Sequence, residues 1–348
     1  MKILAIETSC DDTSIALFEN DKLLSMYTKS QIKIHNKTWG VVPEVASREH
    51  ANVIFDVLDD VIVEWGISLQ EIDYIAVTTH PGLVPSLLTG ISVASTLSQI
   101  LSIPIIPIDH IEAHIFSNWL ERDESEINFP LVCLTVSGWH NELWYMSDMW
   151  TKEKLGQTQD DAAGEAYDKV AKMMWLGYPW GPIISKLAAE YERQGWEQSQ
   201  NILFPRVYLE KSEFGFSFSG LKSAVRREIE KRTWNTLSEW IWSLRETDKQ
   251  EISYEFQSAV NEVLCYKLLE AARQKWVNTI LLAGWVSAND DLNLRIHTEA
   301  QNLGLKFFAP AKKVYSMDNA AMIGILAYYR VKYKQFVHKI GSVQIGEK

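Results

Sequence analysis

One order of elements occurs twice in this chain, and it constrains the fold more than any single motif does. Residues 73–79 read as a strand, His80-Pro81-Gly82-Leu83 as a loop and residues 86–100 as an apolar-periodic helix. A strand over 103–108 and a helix opening at Asp109 follow. In the other half, residues 278–283 form a strand, Gly284-Trp285-Val286-Ser287 a loop and residues 288–303 a helix. A strand over 305–309 comes next, and Asp318-Asn319 opens a further helix. A hairpin precedes each copy. Strands 3–8 and 13–18 flank the polar turn Ser9 to Asp12, and strands 131–137 and 142–146 flank Gly138-Trp139-His140-Asn141. A supersecondary unit used twice predicts two related α/β lobes. Each hairpin turn can offer backbone N–H groups and hydroxyls to a phosphate.

The first copy carries Asp109-His110-Ile111-Glu112-Ala113-His114. Asp109 suits a helix N-cap, where a short acceptor satisfies free backbone N–H groups. His110 and His114 are then i, i+4 neighbours on one helix face, a spacing at which two imidazoles can share a cation. The other reading is two surface histidines on a helix. Glu112 points elsewhere on the wheel, so the stretch is not the H-E-x-x-H pattern of zinc proteases, whose base stands beside the first His. In the pseudo-repeat Asp318 stands where His110 stands. Helix starts related by a pseudo-twofold are expected to face each other across an interlobe cleft, which brings a carboxylate to the imidazoles.

The length of 348 residues corresponds to about two domains. The 47% hydrophobic and 23% charged content is that of an ordinary globular chain. A net charge of -11 argues against RNA binding over the whole surface, so RNA contact is expected from a local patch or a partner. Cys10, Cys133 and Cys265 are odd in number and widely spaced, which argues for a reducing compartment. No apolar run is read as approaching the roughly 18 residues of a membrane span, and MKILAIETSC is not a signal peptide. A cytoplasmic protein with no membrane association is the expectation.

Between the halves, residues 160–174 form an amphipathic helix with Asp161, Glu165, Asp168 and Lys169, and Tyr178 to Pro182 a turn. A basic helix carries Lys222, Arg226, Arg227, Lys231 and Arg232, interspersed with Glu228 and Glu230. It reads either as a solvated charged face or as an RNA-backbone patch.

Several of these stretches together resemble the TsaD family, the tRNA N6-adenosine threonylcarbamoyltransferases. They are Ile6-Glu7-Thr8-Ser9-Cys10-Asp11-Asp12-Thr13, Val41-Val42-Pro43-Glu44, Ala46-Ser47-Arg48, the His110–His114 pair, residues 160–169, residues 216–222 and Asp318-Asn319. The resemblance runs from residue 2 to about residue 330. It implies an α/β, actin/Hsp70-like (ASKHA) fold of two RNase H-like lobes with an interlobe cleft. Residues 1–128 would form the first lobe, completed by a C-terminal helix at about 320–335, and residues 129–319 the second, with a helical insertion. It also implies transfer of the threonylcarbamoyl group from threonylcarbamoyl-AMP to N6 of the adenosine at tRNA position 37, in tRNAs reading codons that begin with A. The resemblance places one iron or zinc ion on His110, His114 and Asp318. It places the adenylate on Thr135, Val136, Ser137, Gly138, Trp139, Asp168, Gly181 and Asn289, and gives Asp11 a positioning or proton-transfer role. Implied partners are tRNA, a fold-related TsaB-like subunit and a TsaE-like ATPase.

This chain departs from the family pattern in one substitution. Trp39, Trp139, Trp175, Trp180 and Trp285 stand where the family has Gly, and Trp65, Trp150 and Trp276 stand where Gly would be unremarkable. The chain holds 14 Trp and 17 Gly; glycine at those eight positions would restore its usual share of about 7%. Two readings compete: a paralogue with a blocked site, or UGA codons that some bacterial lineages read as glycine. The rival functions are a fold-sharing non-catalytic scaffold, a metalloprotease and a sugar kinase of the same superfamily. The protease lacks a base beside either histidine, and the kinase design has no histidine pair.

Overall fold

The computed structural model describes residues 1–38, 40–177, 180–195, 202–208, 214–234, 244–336 and 339–347. Trp39 and the Tyr178-Pro179 part of the expected turn lie outside the described residues. The chain begins β1 (Lys2–Glu7), β2 (Asp12–Glu19), β3 (Lys22–Ser30), α1 (Ile32–His35), α2 (Pro43–Trp65), β4 (Tyr74–His80), α3 (Val84–Leu101), β5 (Ile105–Asp109) and α4 (His110–Phe116). It continues through β6 (Leu131–Val136), β7 (Asn141–Met146), β8 (Lys152–Gln157), α5 (Ala163–Met173), α6 (Trp180–Arg193), α7 (Ser219–Trp234) and α8 (Glu246–Lys275). Then come β9 (Thr279–Ala283), α9 (Asp290–Asn302), β10 (Lys306–Phe308) and α10 (Ala320–Lys332).

The duplication read from the sequence is present as two five-stranded sheets, ordered β3-β2-β1-β4-β5 and β8-β7-β6-β9-β10. In each, the hairpin strands pair antiparallel and the later strands add in parallel. The outer strands β3 and β8 have no counterpart among the expected elements. Their half-exposed faces dilute the apolar alternation that marks the inner strands.

The chain divides into two compact units, Met1–Ile127 with Pro310–Lys348, and Asn128–Ala309. Residues 310–319, which the sequence reading gives to the second lobe, therefore belong to the first unit. The cause lies in α10. Ala320, Ala321, Met322, Ile323, Ile325 and Leu326 are fully buried, and the helix packs on β1, β2 and α4. A Cβ on Gly324 would stand 2.3 Å from the Phe18 ring, so the helix backbone itself lies on β2. The loop before it is held by Lys312 and Tyr315, which both donate to Glu121.

A second expectation also needs correction. The 18-residue α3 is long and apolar enough to cross a membrane by length and composition alone. Its Leu87, Gly90, Ile91 and Ala94 are buried, and it packs on β4 and α2. At the free edge of β5, the Ile105 N–H donates to the Lys339 carbonyl, so the segment after α10 covers the strand that leads into α4.

Candidate metal centre

Asp109 caps α4 as its position in the sequence suggests. Its Oδ1 accepts from the N–H groups of Ile111 (2.8 Å) and Glu112 (3.0 Å). Its other oxygen lies 3.1 Å from His80 Nε2. The cap fixes the first turn of α4, so His110 and His114 emerge on one face with ring centroids 4.7 Å apart and planes at 83°. Asp318 precedes Asn319, whose side chain caps α10 by accepting from the Met322 N–H. Asp318 Oδ1 stands 3.4 Å from His110 Nε2 and 3.2 Å from His114 Nε2. The three potential donor atoms lie within 4.8 Å of one another. All three residues belong to the first compact unit. The expectation that Asp318 reaches the histidines from the second lobe is thus corrected: the pseudo-repeat matches the helix starts, but α10 packs in the first unit.

Glu7 completes the arrangement and was not singled out from the sequence. It is fully buried at the end of β1, and its Oε2 lies 3.1 Å from His110 Nδ1. Thr78 Oγ1 and the Ser9 N–H also donate to this carboxylate. The signal was legible in principle: a Glu closing an apolar strand must be paired if the strand is buried. Burial opposes charge on Glu7, but His110 and the donor from Ser9 hold it below the usual carboxylate range. Burial likewise opposes an imidazolium at His110, yet Asp318 and Glu7 outweigh it and raise that pKa well above the ordinary value. For His114, burial prevails and lowers the pKa. Asp318 is held as a carboxylate despite burial, by His110 and His114.

Two imidazole nitrogens converging on one carboxylate oxygen form a donor set that fits a divalent cation. With Nδ1 of His110 engaged by Glu7, its Nε2 lone pair can point to the ion, the usual carboxylate–histidine arrangement. Two nitrogens and one oxygen with further positions open suit zinc or ferrous iron. Asp11 stands in the turn after β1; burial raises its pKa, and the charge on Asp318 adds to the shift. Glu112, by contrast, pairs with Arg330 at 3.3 Å, so it serves neither as ligand nor as protease base.

The expected adenylate positions all fall in the second unit. Ser137 to His140 is a tight turn, closed by the Ser137 N–H to the His140 carbonyl at 2.8 Å. Val136 is fully buried, and a Cβ on Gly284 (φ +84°) would stand 2.6 Å from its carbonyl oxygen, a contact that only glycine permits. The space where a Cβ on Gly138 would sit is open. Asp168 Oδ1 is buried without a hydrogen-bond partner among the described groups, as an acceptor kept for a ligand would be. Asn289 differs. Its amide caps α9 and donates to Gln257 (2.9 Å) and Ser185 (3.1 Å), so its side chain is already engaged. The Trp285 indole lies 3.8 Å from a Cβ built on Gly181, and Trp139 is largely exposed on its turn. The basic helix α7 pairs several of its charges internally, with Arg226, Arg227 and Lys231 at exposed positions. Lys222, Arg226, Lys231 and Arg232 pair with Asp161, Glu230, Glu228 and a Glu228–Asp248–Glu251 cluster respectively.

Twin sheets of this order define a protein of the actin/Hsp70-like (ASKHA) class, here with a His–His–Asp cluster in the first unit that could hold a metal ion. The fold is shared, at 11% identity and a TM-score of 0.53, with component A of (R)-2-hydroxyglutaryl-CoA dehydratase from Acidaminococcus fermentans, over 95% of this chain and 99% of that one. It is shared with full-length HypF at a TM-score of 0.59 and 12% identity, over 97% of this chain and 56% of that one. The family model for TsaD, tRNA N6-adenosine threonylcarbamoyltransferase, matches residues 22–325. The enzyme of that name from Persephonella marina is 42% identical over 95% of this chain and 91% of its own length. The one from Staphylococcus aureus is 39% identical over 96% and 93%. The chain belongs to the TsaD family and is an acyltransferase.

Two outcomes are expected. Glu7→Gln replaces the carboxylate that orients His110 and should weaken zinc binding by about 10- to 100-fold, measured by chelator competition; unchanged affinity would remove Glu7 from the centre. Burial pushes the Asp168 carboxyl up to about 7 from an ordinary 3.8. A carboxyl that binds its proton more tightly when folded adds stability at low pH and loses it as pH rises through that window. The difference in melting temperature between Asp168→Asn and wild type should therefore move in favour of the variant from about pH 4 to 7. A pH-independent difference would contradict the burial argument.

Proposed function

We propose that this acyltransferase moves the threonylcarbamoyl group from threonylcarbamoyl-AMP to N6 of adenosine 37, in tRNAs reading codons that begin with A. The observation that carries the reading is the intact His110–His114–Asp318 cluster in a chain of this family; a non-catalytic scaffold has no use for it. In the reaction the N6 amine attacks the carbamoyl carbon, the C–O bond to the phosphate breaks, AMP leaves with that electron pair, and N6 loses a proton. A divalent ion, iron or zinc, held by His110, His114 and Asp318 would supply positive charge for the phosphate or carbamoyl oxygen. With an ion in place, Glu7 would accept from Nδ1 of His110 and leave Nε2 to face the ion. Asp11, whose pKa burial raises, would position the amine or take its proton.

In the second unit, Thr135, Ser137, Gly138, Gly181 and Asp168 would receive the adenylate, with the turn amides toward the phosphate and the Asp168 carboxylate toward ribose hydroxyls. Val136 would contribute only backbone, since its side chain is buried. The net charge of -11 and the internally paired charges of α7 favour tRNA binding that depends on partners. The reading includes a TsaB-like fold-related subunit and a TsaE-like ATPase, in the cytoplasm.

The test is a reconstituted reaction with threonylcarbamoyl-AMP, both partners and unmodified tRNA, with the nucleoside product measured by mass spectrometry. Wild type should yield threonylcarbamoyl-adenosine, and His110→Ala should lower the rate by ~10²-fold or more. Product no higher than a blank with wild type would sink the reading.

A further inference from the structure

Helix α10 grips α4 at two places roughly three helical turns apart. At its start, Asp318 meets both imidazoles of α4. Near its end, buried Arg330 donates through Nη1 to the Pro107 carbonyl of β5 at 2.8 Å and through Nη2 to Glu112 Oε2 at 3.3 Å. Pro107 lies two residues before the cap of α4, and Glu112 lies between the two histidines on another face of the helix. Between the grips, Tyr329 packs against Phe116, with ring centroids 5.9 Å apart. The distance from Asp318 to the histidines therefore depends on how α4 is seated along and around its own axis. Six of the seven residues of α4 are buried, so packing and these polar contacts together set that seat.

We propose that Arg330 and Glu112 are positioning residues that set the spacing of the three metal-holding side chains, a role that rests on the metal reading above. The guanidinium ties the end of β5 and the side of α4 to one point on α10, two partners that the planar fork of Arg serves better than a single ammonium. Neither residue touches the ion or the substrate.

The test compares wild type, Arg330→Met, Arg330→Lys and Glu112→Gln for zinc affinity by chelator competition, with the melting temperature of each metal-free protein. Zinc should bind wild type as one equivalent. Arg330→Met should weaken it by about 10-fold or more, with Arg330→Lys and Glu112→Gln between the two. Lowered melting temperatures with wild-type affinity in all three variants would overturn the proposal and leave the metal reading intact. Absence of zinc binding by wild type would overturn both. If Arg330→Met does not fold, Glu112→Gln alone decides.

A different observation carries a second inference. Trp175 and Trp276 end α5 and α8 in the left-handed region, at φ 56° and 54°. The Trp175 N–H donates to the Lys172 carbonyl and the Leu176 N–H to Ala171; the Trp276 N–H donates to Arg273 and the Val277 N–H to Ala272. Gly66 and Gly304 close α2 and α9 with the same pair of bonds. This is the helix stop in which glycine is the usual residue. Ser102 and Lys334 also end helices there, so the conformation alone is not decisive. A bulky aromatic residue at this φ is an outlier, however, and left-handed backbone costs an L-residue about 1–2 kcal/mol. The two indoles are 67% and 90% exposed, so packing returns little of that cost.

We infer that Trp175 and Trp276 are glycine in the protein as its own host makes it, specified by UGA codons read as glycine. Intact-mass and peptide mass spectrometry of protein from that host should show the Trp-to-Gly mass loss at these positions. Peptides carrying Trp at 175 and 276 would overturn the inference.

Discussion

The first unit is organised around one electrostatic constraint: a carboxylate, Glu7, buried at the end of an inner strand. Alone it would be costly to bury. It is tolerated because Thr78, Ser9 and His110 all turn toward it. That pairing fixes which His110 nitrogen remains available, and the available nitrogen faces Asp318. The first turn of α4, the turn after β1 and the start of α10 are thus tied to the same buried charge. Breaking any one leaves an unbalanced charge in the interior, which is far more destabilising than losing a surface pair.

The two units use one sheet order for different chemistry. In the first, the hairpin turn carries Asp11 and Asp12, the latter pushed up to about 7 by burial, and ionisable groups crowd together. In the second, the equivalent turn is built for close backbone approach. Gly164 packs against Ser137 and Gly138, and Gly284 against Val136. The first turn gathers carboxylates; the second brings backbone into close approach.

Much of this was legible in the sequence. The repeated strand–loop–helix order predicts both sheets, because buried inner strands are continuous apolar runs. The Asp109 cap and the i, i+4 histidines follow from local spacing alone, and the capping geometry agrees. Other features depend on tertiary packing. The return of α10 to the first unit came from the family resemblance and not from local periodicity, and packing of its apolar residues on β1 and β2 accounts for it. The partner of Glu112 proved to be Arg330, more than two hundred residues away. The role of Glu7 emerges only once β1 is known to end beside α4. Asn289, assigned to ligand from resemblance, is a cap with every side-chain atom engaged.

The return of α10 also bears on how the protein is born. The histidines leave the ribosome early and Asp318 about two hundred residues later, after the whole second unit. Until α10 docks, β1 and β2 lack the helix that covers them, and the imidazole pair lacks its carboxylate. Domains tend to fold as units during synthesis, yet this first unit cannot close until α10 has followed the whole second unit. The His–His–Asp cluster therefore assembles only after the second unit has been made, and a ribosome stalled before α10 would release a chain with an open sheet and an incomplete cluster.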